Sequence, residues 1–143
     1  MRFRFIAVPS LVLCVVLPTG AGAQPISLTE LGATPECDQS GDLADENGCI
    51  RDVFEREDAE LNRVYRQAME IAEEAALNSV WQEQQPEVLR NAQRAWLLFR
   101  DAECVEAMSV LTADGNMNTD DDRCLIAKTR IRIVELCHIY GCE

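Results

Sequence analysis

The chain has 143 residues, 48% hydrophobic and 27% charged, and its 25 acidic against 13 basic residues leave a net charge of −12. That length supports a single domain with one modest core. That charge argues against nucleic acid and anionic membrane surfaces as partners and favours a cationic one.

The first residues read as an address and not as part of a fold. Arg2 and Arg4 form a basic n-region, Phe5 to Leu17 is apolar, Pro18 and Gly20 interrupt it, and Ala21-Gly22-Ala23 supplies an A-x-A cleavage site. Residues 1–23 are therefore expected to be a secretory signal peptide, cut before Gln24, with export to the periplasm or the extracellular space. The apolar run is shorter than the roughly 20 residues that cross a bilayer, and no later segment is apolar enough, so no membrane span is expected in the mature chain. Loss of Arg2 and Arg4 leaves 11 basic residues and takes the net charge to −14; of those 11 only Lys128 is a lysine.

Residues 24–48 are polar and interrupted by Pro25, Gly32, Pro35, Gly41 and Gly48. They are expected to form an irregular N-terminal arm pinned at Cys37. The helical domain then occupies residues 49–143. Its first helix runs from Cys49 to about Asn78, with Val53, Phe54, Leu61, Tyr65, Ala68, Ile71, Ala72 and Ala75 at spacings of three and four, the period of one helix face. Trp81 to Gln85 is a connection, in which Trp81 is either an exposed anchor or, the reading favoured, a cap on the end of the bundle. Pro86 fits the first turn of a second helix, where its missing N–H costs nothing. That helix runs to about Leu111 along Leu89, Gln93, Trp96, Arg100, Cys104 and Ala107. Thr112 to Thr119 is a loop around Asp114-Gly115-Asn116. Asp120, Asp121 and Asp122 offer an N-cap and an acidic first turn for a third helix, which runs to about Leu136 along Ile126, Thr129 and Ile133 and stops by Gly141. The expected fold is all-α: an antiparallel bundle of three helices stapled by disulfides.

Six cysteines remain after cleavage: Cys37, Cys49, Cys104, Cys124, Cys137 and Cys142. An even count in an exported chain reads as disulfides. No Cys-x-x-Cys pair occurs and His138 has no second His, so neither a metal nor another cofactor is expected. Asp114, Asn116, Asn118, Asp120 and Asp122 alternate as oxygen ligands do at the start of a calcium-binding EF-hand loop. An EF-hand loop, however, needs Gly where Thr119 stands and Glu where Leu125 stands.

Polar residues interrupt the helix seams. Asp58 lies between Phe54 and Leu61, Asn62 and Tyr65 follow it, and Gln93 and Arg100 flank Trp96. Buried polar groups cost free energy unless paired. Folding the two helices back through the Ser79–Gln85 connection brings Asp58 level with Arg100, so an Asp58–Arg100 bridge completed by Asn62, Tyr65 and Gln93 is expected. Its role is structural: such ion pairs also serve register.

The same residues carry a family resemblance. Asp58-Ala59-Glu60-Leu61-Asn62-Arg63-Val64-Tyr65 resembles a D-x-E-L-N-x-x-Y signature. Ala92-Gln93-Arg94-Ala95-Trp96, followed by Arg100-Asp101 and Cys104, resembles A-Q-R-A-W-x-x-x-R-D-x-x-C. Cys124 and Thr129-Arg130 match a third segment. Together they resemble the N-terminal domain of LprI-type lysozyme inhibitors over Cys37 to Leu136. The resemblance implies a helical, envelope-exposed domain that binds and inhibits lysozyme. The family commonly carries a Gly-Gly-Ser-type segment where this chain has Thr112 to Asp122, rich in Asp and Asn. Cys137 and Cys142 look additional to the family's four cysteines, and an added pair most simply closes on itself. Cys104 and Cys124 flank the loop and could close it, one of the 15 connectivities that six cysteines leave open.

An enzyme is not expected. Ser79 and Ser109 have no evident His and acid partners, and paired cysteines leave no free thiol. The first functional reading is an inhibitor of a cationic glycoside hydrolase, which attacks glycans with paired carboxylates. An acidic chain is steered to such an enzyme, with Arg90, Arg94 or Lys128 as the cation placed in its cleft. The alternative is a structural or interaction module of the cell envelope.

Overall fold

A computed structural model describes residues 27–38, 41–107 and 117–142, and every regular element in them is helical. The expected signal peptide, Ser109, Asp114 and Asn116 lie outside the described residues.

The arm is more regular than its composition suggests. Helix α1 spans Leu28–Leu31 and begins with a reciprocal capping box: the Glu30 N–H donates to Ser27 Oγ, and the Ser27 N–H donates to Glu30 Oε2 at 2.8 Å. The Ser-x-x-Glu spacing was the available signal. Gly32 ends α1 against the last helix, where an added Cβ would collide with the Arg123 carbonyl. Close approach of two backbones is what requires glycine at this position.

Helix α2 spans Leu43–Asn78, 36 residues or about 54 Å of axis. It starts before Cys49, contrary to the expected arm boundary. Asp42 is the reason: its Oδ1 accepts from the N–H groups of Ala44 and Asp45 at 2.8 and 2.9 Å, satisfying the first turn. Helix α3 spans Gln85–Asp101, with Pro86 in its first turn. At Ala102 the chain changes directly to a π-helical segment, Ala102–Ala107, in place of the uniform helix expected to Leu111. Helix α4 spans Met117–Tyr140. Asp120, Asp121 and Asp122 therefore lie inside its first turns and do not cap it, and Asp122 instead faces Arg51 of α2. Gly141 ends α4 at a positive φ of 71°, with its N–H donating to the Cys137 carbonyl.

The cysteines pair as Cys37–Cys49, Cys104–Cys124 and Cys137–Cys142. They tie the arm to α2, the π segment to α4, and the end of α4 to the residues that follow it.

Helix α2 packs chiefly on α4 and next on α3, and α1 lies on α4, whereas α3 and α4 touch little. Two apolar clusters result. One gathers Leu61, Val64, Ala68 and Ala72 with Leu89 and Leu136. The other gathers Cys37, Ile50, Val53 and Ile126, with Phe54 half-buried against it. Trp81 does not cap the end of the molecule: it is 92% exposed. No helix among the described residues is long and apolar enough to cross a membrane.

Candidate functional site

The seam between the two clusters is polar. Asp58 follows Val53 and Phe54 of one cluster and precedes Leu61 of the other, and Thr129 stands between Ile126 and Leu136 in the same way. Arg100, on the last turn of α3, fills the layer that these two residues leave. Its side chain is only 8% exposed. Nη1 donates to Asp58 Oδ1 at 2.9 Å and to Thr129 Oγ1 at 3.3 Å, and Nε donates to Asp101 Oδ1 at 2.9 Å. The guanidinium lies over the rings of Phe54 and Trp96, with centroids at 5.6 and 5.3 Å. One arginine thus joins α2, α3 and α4. A planar fork with several donors between two aromatic faces suits arginine and no other cation. Asn62 extends the set by donating Nδ2 to Asp58 Oδ2 at 3.1 Å.

Gln93 joins through Arg132, a residue that the polar breaks in the seams do not mark. Its Oε1 accepts from Arg132 Nε at 3.1 Å, and the Arg132 guanidinium also lies over the Trp96 ring, 5.8 Å from its centroid. Trp96 is therefore flanked by two guanidinium groups. Tyr65 packs against the Leu61–Leu136 cluster and makes no hydrogen bond within this layer. Its phenol ring acts as core and does not complete the network as expected.

Arg130 works elsewhere. Nε donates to Glu57 Oε1 at 2.9 Å, and Nη1 donates to the carbonyls of Leu31 and Ala33 at 2.8 and 3.1 Å. It satisfies the open C-terminal end of α1 and binds the arm to both long helices. Arg123 does similar work through Asp38 at 3.3 Å and Glu46 at 3.2 Å.

The cations expected to reach into an enzyme cleft differ in availability. Lys128 is mostly buried, paired with Glu103 and set over Phe99, and Arg90 is held by Glu87. Arg94 is exposed and forms no ion pair with another described residue. Among the described residues no three His, Cys, Asp or Glu side chains converge to hold a metal ion. Within the proposed calcium set, Asp122 is engaged with Arg51 at 3.3 Å. Burial raises the carboxyls of Asp121 and Asp122 from their ordinary value; Arg51 works against the rise at Asp122.

An open groove of about 370 Å³ runs between α1 and α4, lined by Leu28, Thr29, Gly32, Asp120, Arg123 and Ala127. None of the polar-layer residues borders it. The arrangement around Arg100 joins three helices.

The family model described as "Lysozyme inhibitor LprI" matches residues 37–136. A protein of Rhizobium meliloti (strain 1021), Uncharacterized protein R02472, is 32% identical over 137 residues, covering 89% of this chain and 88% of its own length. Uncharacterized protein YecT of Escherichia coli (strain K12) is 35% identical over 82 residues, covering 52% of this chain. The chain spans about half the length of that relative, 51%. No solved structure gives a significant match.

Proposed function

The chain belongs to the LprI lysozyme-inhibitor family, and from that premise we propose that it is an exported binding protein that binds and inhibits lysozyme. The single observation that carries this reading is the family match, which runs from the first cysteine of the arm to the last turns of α4. Three cysteine pairs and the apolar opening segment support export through a signal peptide over residues 1–23, followed by the arm and one helical domain. A net charge of −12 suits a cationic enzyme as partner, because opposite charge raises the association rate. The family is one of inhibitors, and a binding role without catalysis accords with it. Asp58, Asn62, Gln93, Trp96, Arg100 and Arg130 serve the fold that presents the binding surface.

The engagement of Arg100 and Gln93 in buried contacts between helices also favours the second reading, an envelope module with no lysozyme activity. The two separate in an assay of peptidoglycan hydrolysis by lysozyme, with the oxidised mature protein added in molar excess. Dose-dependent inhibition that persists at physiological salt is expected. No inhibition, or inhibition only at low salt, would leave general charge attraction and the envelope module.

A further inference from the structure

The connection between α2 and α3 exposes apolar side chains to a degree that folding does not explain. Trp81 is 92% exposed, Leu77 87% and Val80 82%. Scattered single hydrophobics are ordinary on a surface, but three within five residues, Leu77 in the last turn of α2 and Val80 and Trp81 in the connection, form a patch. Beside the turn an open groove of about 260 Å³ with a mixed polar and apolar lining lies between Ile71 and Ala75 of α2 and Ile139 and Tyr140 of α4, with Gln82 and Gln85 also lining it.

The surroundings of this patch carry one sign of charge. From Gln67 to Leu89 the chain has Glu70, Glu73, Glu74, Glu83 and Glu87 and neither Lys nor Arg. Glu87 is held by Arg90. Glu70, Glu73, Glu74 and Glu83 make no ion pair with another described residue. The first three sit toward the C-terminal end of α2, where no basic residue offsets them and the helix dipole adds to their negative field. Such a placement costs the isolated helix stability, and a cationic partner relieves it.

We infer that this acidic, tryptophan-tipped connection is the surface on which the chain docks a cationic glycoside hydrolase. The inference rests on the lysozyme-binding reading above and names the surface that reading leaves open. Trp81, with Leu77 and Val80, supplies the buried anchor that dominates interface energetics. The unpaired glutamates form a rim that steers a basic enzyme and pairs with its Lys and Arg side chains. The α1–α4 groove and the Arg100 layer take no part.

The test measures binding of a cationic lysozyme to the oxidised mature protein by calorimetry and by association kinetics, at low and physiological salt. Trp81→Ala is expected to weaken binding at least about thirtyfold. The double variant Glu73→Gln with Glu74→Gln is expected to slow association and flatten its salt dependence. Leu28→Ala, on the far groove, is expected to bind as the parent does. All these side chains are exposed, so unchanged melting temperatures verify the fold. A parent that binds together with a Trp81→Ala variant of unchanged affinity overturns this docking surface and leaves the lysozyme reading in place. A parent that does not bind at physiological salt overturns the lysozyme reading, and this occupant with it.

Discussion

Asp58 and Arg100 lie 42 positions apart in the chain and meet at 2.9 Å between α2 and α3. The two partners are unequally buried: the Arg100 side chain is 8% exposed and that of Asp58 34%. The guanidinium is therefore the group that suffers most when the pair is broken. Asp58→Ala leaves it facing Thr129 and the more exposed Asp101. Loss of one partner of a buried pair costs about 3–5 kcal/mol, and the water reaching Asp58 places this case at the lower end. Urea denaturation of Asp58→Ala, Arg100→Ala and the double variant should yield an interaction energy of about 1–3 kcal/mol. A value near zero would show that the two groups are solvated independently.

Arg130 offers a sharper test of geometry, because charge alone does not explain its contacts. It reaches Glu57 and two carbonyls with separate nitrogens. Lysine keeps the charge but brings a single compact ammonium on a flexible stem. Arg130→Lys should therefore lose the carbonyl contacts and free the α1 end, at a cost of about 1–2 kcal/mol. Amide hydrogen exchange should quicken over residues 28–34 while the Leu61–Leu136 cluster keeps its protection. Equal protection in both segments would mean that Gly32 packing and the Cys37–Cys49 bridge hold the arm without Arg130.

The aspartates at the start of α4 predict the opposite of ordinary acid denaturation. Burial raises the Asp121 carboxyl from its ordinary value, and neighbouring Asp120 adds to the rise. A raised value in the folded state means that folding favours the protonated acid. The associated stability is fully present below the unfolded pKa and is lost as pH rises through the folded one. At neutral pH the ionised carboxylate is a cost, and Asp121 Oδ1 is buried without a hydrogen bond. Asp121→Asn should raise the melting temperature at pH 7, and the gain should shrink as pH falls through the carboxylate range. A variant that melts below the parent at pH 7 would show that the ionised form is stabilised in the fold.

Much of this molecule is legible in the sequence because helical periodicity and capping are local. Spacings of three and four mark the inward faces of α2 and α3, Pro86 marks the start of α3, and Gly141 marks the end of α4. Asp42 and the Ser27–Glu30 box were equally local signals, and they account for the early start of α2 and for α1 within the arm. The polar interruptions at Asp58 and Arg100 are visible as breaks in an apolar stripe. Only the tertiary structure decides which long side chains cross between helices. Arg132 reaches Gln93, Arg130 turns to the arm, and Tyr65 stays in the core, although all three lie near the same seams. The reason is reach: an arginine has several rotatable bonds and more than one partner within its radius, so helix register, which depends on the whole packing, selects among them. Exposure of Trp81 is decided in the same way. Its sequence neighbours permit a cap or a projecting anchor, and the angle at which the chain leaves α2 sets it outward.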